Sequence, residues 1–152
     1  MRGVYTGTVI HSALAAAKDL YVLTAPSSKV LEVLRAWITN SSNETNEQLV
    51  GVLIRASAAG TGAATSIVKK PHEVGDKASD STLEHTYATT QPTLEADPLA
   101  REGITSLSGV EFIRAPEERI YVQPSGIFVI RITTTTFTAL DVTAGITWRE
   151  IG

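Results

Sequence analysis

The stretch that decides the fold is C-terminal: residues 140–152 read L-D-V-T-A-G-I-T-W-R-E-I-G. Apolar side chains occupy every second position, at Leu140, Val142, Ala144, Ile146 and Trp148. Polar residues or glycine occupy the positions between them, from Asp141 to Arg149. Alternation with a period of two residues is typical of a strand with one buried face and one face in water. The stretch therefore predicts a long strand of an antiparallel sheet.

Shorter β-type runs extend this pattern towards the N-terminus. V-E-F-I-R at 110–114, I-Y-V at 120–122 and I-F-V-I-R-I at 127–132 are separated by turns that contain proline. Further strands are predicted over 4–10, 19–25, 30–39, 48–56 and 83–90. Segment 30–39 also fits a helical stripe, but the P-S-S and N-S-S-N turns on its flanks favour a strand.

The segments between these runs are predicted as turns and loops. A-L-A-A-A-K within 12–18 favours a helical turn, and Gly51 indicates a bulge or a close backbone approach. Residues 57–66 are interpreted as a flexible loop, and 91–103 as a long loop with one helical turn at 98–101. The whole pattern predicts one all-β domain, residues 1–152. We expect a jelly-roll-like antiparallel β-sandwich of eight or nine strands with a long central loop region.

The composition argues against several classes of site and partner. The chain carries a net charge of −3 and 19% charged residues, so it offers no basic field for the phosphates of nucleic acid. It has no cysteine, which excludes disulfides and thiolate sites. The N-terminal residues lack a signal-peptide pattern, and no apolar run is long enough to cross a bilayer. We therefore expect a soluble protein made in a cytoplasm, without nucleic-acid or membrane partners.

The three histidines are the candidates for metal binding. His11, His72 and His85 form no H-x-H, H-E-x-x-H or two-histidine-one-carboxylate spacing within a local element. We expect them on the surface or on strand faces. We also expect no metal, no cofactor and no enzymatic activity.

Three further patterns resemble catalytic or phosphate-binding motifs but lack a required feature. G-T-G at 60–62 lacks the remainder of a P-loop or dinucleotide fingerprint and is predicted at a flexible hairpin tip. Ser125 stands in Q-P-S-G-I rather than G-x-S-x-G, which favours a tight turn. Glu117 and Glu118 are sequence neighbours, whereas glycosidase carboxylates face a substrate from opposite sides, so a solvated turn is predicted.

The aromatic residues leave two interpretations open. They fill the core and interfaces, which we favour, or form a platform on which sugar rings stack, as in carbohydrate-binding β-sandwich modules. Trp148 is in register with Ile146 and is predicted to face the core. The other five are Tyr5, Tyr21, Trp37, Tyr87 and Tyr121.

Two polar segments also carry interpretations. The run Thr133 to Thr136 favours strand geometry and suits a sheet edge, a subunit contact or a solvated strand end. Two sequons, N-S-S at 40–42 and N-E-T at 43–45, are interpreted as a polar loop.

The order of these segments resembles a family of small virion proteins of tailed bacteriophages and prophages. In that family an alanine-containing segment ending in D-L follows the first strand, as in A-A-A-K-D-L at 15–20, and the next strand closes on A-P, as at 25–26. A later segment of the form R-x-P-E-E-R is matched at 114–119. A P-x-G turn then leads into a strand, as P-S-G at 124–126 leads into I-R-I at 130–132.

Two further features extend the resemblance over most of the chain. E-I-G at 150–152 is similar to the end of the family's last strand, and G-T-G at 60–62 looks like its variable glycine-rich loop. The resemblance implies a capsid cement, or decoration, protein with a jelly-roll-like fold. Such a protein binds the outside of the major capsid protein lattice as a homotrimer and stabilises the icosahedral head. A tail, baseplate or head-fibre component and a carbohydrate-binding module are the alternatives.

Overall fold

The alternating stretch at the C-terminus forms a strand, Leu140–Ile151, in the middle of a sheet. It pairs antiparallel with Val4–Leu14 on one side and with Val30–Asn40 on the other. Its alternate apolar side chains, Leu140, Val142, Ala144, Ile146 and Trp148, are all buried. The prediction of a long strand with one face in the core is therefore confirmed.

The protein is described by a computed structural model over residues 3–42 and 47–152. In this part of the chain the regular structure is thirteen strands and a short 3-10 helix, Pro116–Glu118. The strands are β1 (Val4–Leu14), β2 (Lys18–Thr24), β3 (Val30–Asn40), β4 (Gln48–Ala58), β5 (Ala64–Ser66), β6 (Lys69–Pro71), β7 (Thr82–Tyr87), β8 (Thr93–Leu94), β9 (Ala100–Thr105), β10 (Val110–Ile113), β11 (Ile120–Val122), β12 (Ile127–Ile132) and β13 (Leu140–Ile151).

These strands form two antiparallel sheets that pack against each other. Sheet A has the order β6-β1-β13-β3-β10, and β11 also pairs with β3. Sheet B has the order β5-β7-β2-β12-β4-β8, and β9 also pairs with β4. The chain changes sheet at each step from β1 to β4, and again from β11 through β12 to β13. The antiparallel β-sandwich predicted from the sequence is thus confirmed, and segment 30–39 is a strand.

The main core lies between the sheets, and a second apolar cluster covers part of the outside of sheet B. Trp148, Tyr21 and Phe128 are among the largest fully buried side chains of the main core. The second cluster consists of Val22, Val52, Ile54, Ile127 and Val129, with Val50, Ala56, Tyr87 and Leu94 packed against it. Sheet B is therefore partly buried on both faces, while the outer face of sheet A carries the exposed surface discussed below.

The predicted helical turn at 12–18 is wrong. β1 continues to Leu14 through a register shift after His11, and Ala13 has a φ of 51°. The Ala13 N–H donates a hydrogen bond to Asp141 Oδ1 at 2.8 Å. A short alanine-rich stretch cannot nucleate a helix alone, so pairing with β13 decides its conformation.

The predicted central loops contain more sheet than expected. β5, β8 and β9 lie within or across 57–66 and 91–103, and no helical turn forms at 98–101. There the Leu99 N–H donates to the Leu53 carbonyl at 2.7 Å, so the segment runs along β4 instead. Gly51 pairs in regular register and forms no bulge. It does mark a close approach, since an added Cβ would lie 2.8 Å from Ile38 and Ile104 side-chain atoms.

The run Thr133 to Thr136 follows β12 without forming a strand, so the strand geometry predicted for it is wrong. Its first two residues still satisfy the backbone of β4. The Thr133 N–H donates to the Val50 carbonyl at 2.9 Å, and the Val50 N–H donates to Thr134 Oγ1 at 2.9 Å. Side-chain hydroxyls thus replace part of the ladder where the sheet ends.

Candidate functional site: the outer face of sheet A

The outer face of sheet A presents the residues that alternate with the core row of β13. Threonines recur on it, with Thr39 paired to Thr143 across β3 and β13 and Thr8 exposed on β1. Several large apolar side chains accompany them and are exposed to different degrees: Ile10 61%, Ile113 67%, Tyr121 40% and Ile151 40%. The result is a broad face of low net charge with exposed apolar side chains at its margins.

Trp37 lies near the centre of this face because its cross-strand neighbour has no side chain. Trp37 pairs with Gly145, and the indole occupies the space that a Cβ of Gly145 would need. The Arg35 guanidinium lies over the ring, 4.7 Å from its centroid, and Arg35 is ion-paired with Glu111. Arg35, Trp37 and Glu111 line a shallow groove of about 250 Å³ together with Thr39, Gly109 and Val110.

The sugar-platform interpretation receives no support from the positions of the aromatic residues. Tyr5, Tyr21 and Trp148 are buried in the core, which confirms the prediction for Trp148. The Trp37 ring contacts the sheet and also carries the Arg35 guanidinium. Tyr87 packs against the apolar cluster on the opposite side of the sandwich. No coplanar pair of exposed rings occurs among these described side chains.

At the end of this face near β11, a buried carboxylate links two arginines. Glu32 on β3 is ion-paired with Arg119, at 3.0 Å, and with Arg149 on β13. Burial by itself would raise the pKa of Glu32, but the hydrogen bonds from the two arginines hold that pKa below its ordinary value. The sequence shows a charged residue inside the apolar run 30–39, but it gives no sign of the partners that follow much later in the chain.

The adjacent carboxylates Glu117 and Glu118 lie exposed on the 3-10 helix. Neighbouring Arg119 turns away from them to reach Glu32. The prediction of a solvated turn is confirmed, and the two carboxylates do not face each other across a cleft.

Two of the three histidines contact each other, but they do not belong to a set of metal ligands. His11 is only 4% exposed, so it lies on the inner face of β1 rather than on the surface. Its Nε2–H donates to the Leu20 carbonyl at 2.7 Å, and its ring meets the ring of His85 edge-on at a centroid distance of 4.8 Å. His72 instead contacts Thr6 Oγ1 at 2.6 Å. Over residues 3–42 and 47–152 no group of three or more potential metal ligands comes together.

The burial of His11 predicts that acid destabilises the fold. Desolvation lowers its pKa to about 4 from an ordinary value near 6.5, so between these pH values the unfolded chain binds a proton that the folded protein does not. Stability is then present above pH 6.5 and is lost as the pH falls. We expect the free energy of unfolding to drop by about 2 kcal/mol between pH 7 and pH 5.

Urea titrations at a series of pH values test this expectation. The chosen interval lies above the range in which Glu32 and Glu150, whose pKa values are lowered, take up protons. A His11→Gln variant should lose most of the slope, and the smaller remainder belongs to His85, because burial lowers the pKa of His85 as well. A slope that is unchanged in His11→Gln would assign the acid sensitivity to other groups.

Ser125 and the G-T-G stretch have structural roles. The Gly126 N–H donates to the Gln123 carbonyl at 2.8 Å, and Ser125 has a φ of 61°, which confirms the tight turn between β11 and β12. Thr61 forms an isolated bridge with Thr90, and their hydroxyls lie 2.7 Å apart. The G-T-G stretch is thus held to a second segment rather than standing as a free hairpin tip.

The first sequon is engaged in packing, while the second, at 43–45, lies outside the described residues. Asn40 Nδ2 donates to the Ser106 carbonyl at 2.7 Å. Its Oδ1 accepts from the Ser42 N–H at 2.9 Å, which closes a local turn.

Comparison with known proteins finds no relative of this chain. The chain matches no protein-family model, no characterised protein and no solved structure. Residues 3–42 and 47–152 contain no helix with the length and apolar character needed to span a membrane.

Proposed function

We propose that this protein is a cement, or decoration, protein of a tailed-bacteriophage head. It binds the outside of the major capsid protein lattice as a homotrimer, stabilises the icosahedral shell and is made in the cytoplasm of the bacterial host. The observation that carries the proposal is the broad outer face of sheet A, which has a low net charge because its charged side chains pair with one another, on a sandwich whose segment order resembles that of phage virion proteins.

The strand order supports the jelly-roll part of this proposal. If β11 and the strands inserted between β4 and β9 are left out, sheet A reads β1-β13-β3-β10 and sheet B reads β2-β12-β4-β9. This is the order produced when paired strands wrap around a sandwich so that the first and last lie side by side. Jelly rolls of this kind are common among viral capsid domains and lectins.

The chemistry of the face suits attachment to a protein lattice. Threonine hydroxyls offer hydrogen bonds without charge, and Arg35 and Glu111 already neutralise each other. Contacts of this type avoid burying an unpaired charge. Each contact can be weak, because linked copies on a repeating lattice bind with a high effective concentration.

Reconstitution on particles tests the proposal. Particles stripped of the protein should regain it on addition, and the temperature at which they release DNA should rise, since a ligand that binds only the intact shell stabilises it. The double variant Thr39→Lys/Thr143→Lys places like charges on the face and should bind at least tenfold more weakly. Thr65→Lys on β5, an exposed threonine elsewhere, is the matched control.

Two results would contradict the proposal. If occupancy returns but the rupture temperature does not move, the protein is not a cement, and a tail-associated or host-facing role explains the binding better. If Thr39→Lys/Thr143→Lys binds like the wild type and like the Thr65→Lys control, the outer face of sheet A is not the attachment surface.

A further inference from the structure

One edge of sheet A is open over part of its length. β1 pairs with β13 along most of its course, but on its other side β6 covers only Tyr5, Thr6 and Gly7. From Thr8 to Ser12 no described strand lies on that side. Thr8 and Ser12 are exposed, and Ile10 between them is 61% exposed.

The backbone of this stretch directs donors and acceptors into the open space. The Val4 carbonyl accepts from the His72 N–H at 2.9 Å, so the polar groups of Val4 face the β6 side. The Gly3 carbonyl accepts from the Glu150 N–H at 2.9 Å and therefore faces β13. Because these directions alternate along a strand, the N–H and C=O groups of Thr8, Ile10 and Ser12 point outward.

Two other edge strands, β6 and β9, carry features that discourage pairing with another chain. β6 consists of Lys69, Lys70 and Pro71, and β9 carries exposed Arg101 and Glu102. Charged side chains and proline on an edge strand oppose the addition of a further strand. The open stretch of β1, T-V-I-H-S, has no proline, and its one titratable side chain, His11, points into the core.

On this side of the sandwich, sheet B extends one strand further than sheet A at the level of His11. Across the sandwich, β1 faces β7, since the rings of His11 and His85 touch. At this level sheet B continues beyond β7 with β5, through the pairs Thr65–His85 and Ser66–Glu84, whereas sheet A ends at β1. Sheet A therefore lacks a strand directly above β5.

A second copy that pairs through its own β1 edge does not fit this position. If the β1 edges of two copies paired about a two-fold axis, their β7 strands would lie one or two strand spacings apart, about 5–10 Å. Both β5 strands would then need to occupy that gap. A single extended segment that brings no second sheet with it meets no such obstacle.

We propose that the edge from Thr8 to Ser12 receives one extended arm of a partner protein, which adds a strand to sheet A above β5. The identity of the partner rests on the proposed function: the arm belongs to the major capsid protein. Backbone hydrogen bonds to Thr8, Ile10 and Ser12 hold it, as in other cases of β-strand addition. The side chains of the arm that lie beside Ile10 are uncharged and β-branched.

The variant Ile10→Pro tests this edge. It removes an N–H that points into the open space and does not bond to β13, so the rest of the β1 ladder stays intact. Ile10→Thr keeps the N–H and β-branching and is the matched control. On stripped particles we expect Ile10→Pro to bind at least tenfold more weakly than the wild type and Ile10→Thr to bind within threefold of it.

Hydrogen exchange gives a second readout that needs no substitution. The amides of Thr8, Ile10 and Ser12 should exchange rapidly in the free protein and slow at least tenfold on particles. If the wild type binds particles while these amides stay fast, or while folded Ile10→Pro binds equally well, the edge site is wrong and the cement role stands. If the wild type does not bind particles, the cement role fails.

If the wild type does not bind particles, the edge is tested separately with the synthetic peptide acetyl-T-V-T-V-T-amide. Protection of the three amides by the peptide at millimolar concentration, in the wild type and Ile10→Thr but not in Ile10→Pro, supports an arm from another partner. Absence of protection in the wild type overturns the proposal.

Discussion

A chain that ends before Leu140 is expected not to fold. β13 pairs with both β1 and β3, so its removal exposes two long strands at once. It also removes the buried side chains of Leu140, Val142, Ile146 and Trp148, each of which contributes about 1.5–3 kcal/mol by burial. The summed loss is comparable to the whole free energy of unfolding of a typical domain, which is about 5–15 kcal/mol.

Circular dichroism and soluble yield of residues 1–139 measure this effect. The matched control removes only Ile151 and Gly152, both exposed, and should retain the native spectrum and nearly the native melting temperature. A 1–139 chain with the native spectrum and an unchanged melting temperature would show that β13 is dispensable and that the core lies elsewhere.

Replacing Arg131 by methionine is expected to destabilise the protein by about 3–5 kcal/mol at neutral pH. Asp19 on β2 is 2% exposed, and its Oδ1 accepts a hydrogen bond from Arg131 Nη1 at 2.6 Å. Burial raises the pKa of Asp19, and Arg131 opposes that rise by stabilising the charged form. Without the arginine a buried carboxylate is left without a counter-charge.

The penalty should shrink as the pH falls. In Arg131→Met the pKa of folded Asp19 lies further above its unfolded value, so the folded protein binds the proton first and gains stability on acidification relative to the wild type. Denaturant titrations at pH 7 and pH 5 measure the difference. Arg131→Met/Asp19→Asn should recover much of the loss, and Arg55→Met, at an exposed position, should change little. A loss below about 1 kcal/mol for Arg131→Met would mean that water already solvates Asp19.

The sequence predicts those strands whose burial pattern is local. β12 and β13 follow directly from alternation or from an apolar run between turns, because each side chain's environment depends on its position in the strand. Segment 12–18 was wrongly predicted as a helical turn because its conformation depends on Asp141, far along the chain. The helical turn predicted at 98–101 is also wrong, because the hydrogen-bond partner of this segment lies on β4, far away in the sequence.

The candidate surfaces were only partly predictable. Alternation in β13 indicates which residues face outward, such as Thr143 and Gly145, but it does not show that sheet A rather than sheet B stays uncovered. The partners of Asp19 and Glu32 are separated from them by 112 and 87 positions, and no local pattern connects them. The open edge of β1 depends on where β6 ends, which only the strand register reveals.

The pairing of β1 with β13 also affects biosynthesis. The ribosome releases Val4 well before Arg149, yet these residues are direct neighbours in the sheet. The nascent chain therefore exposes β1 without its main partner until β13 has left the exit tunnel, and the sandwich closes only then. Closure of so large a loop makes folding slow, on the scale of milliseconds to seconds for all-β topologies. We expect the growing polypeptide to depend on chaperones that shield aggregation-prone strands until β13 emerges.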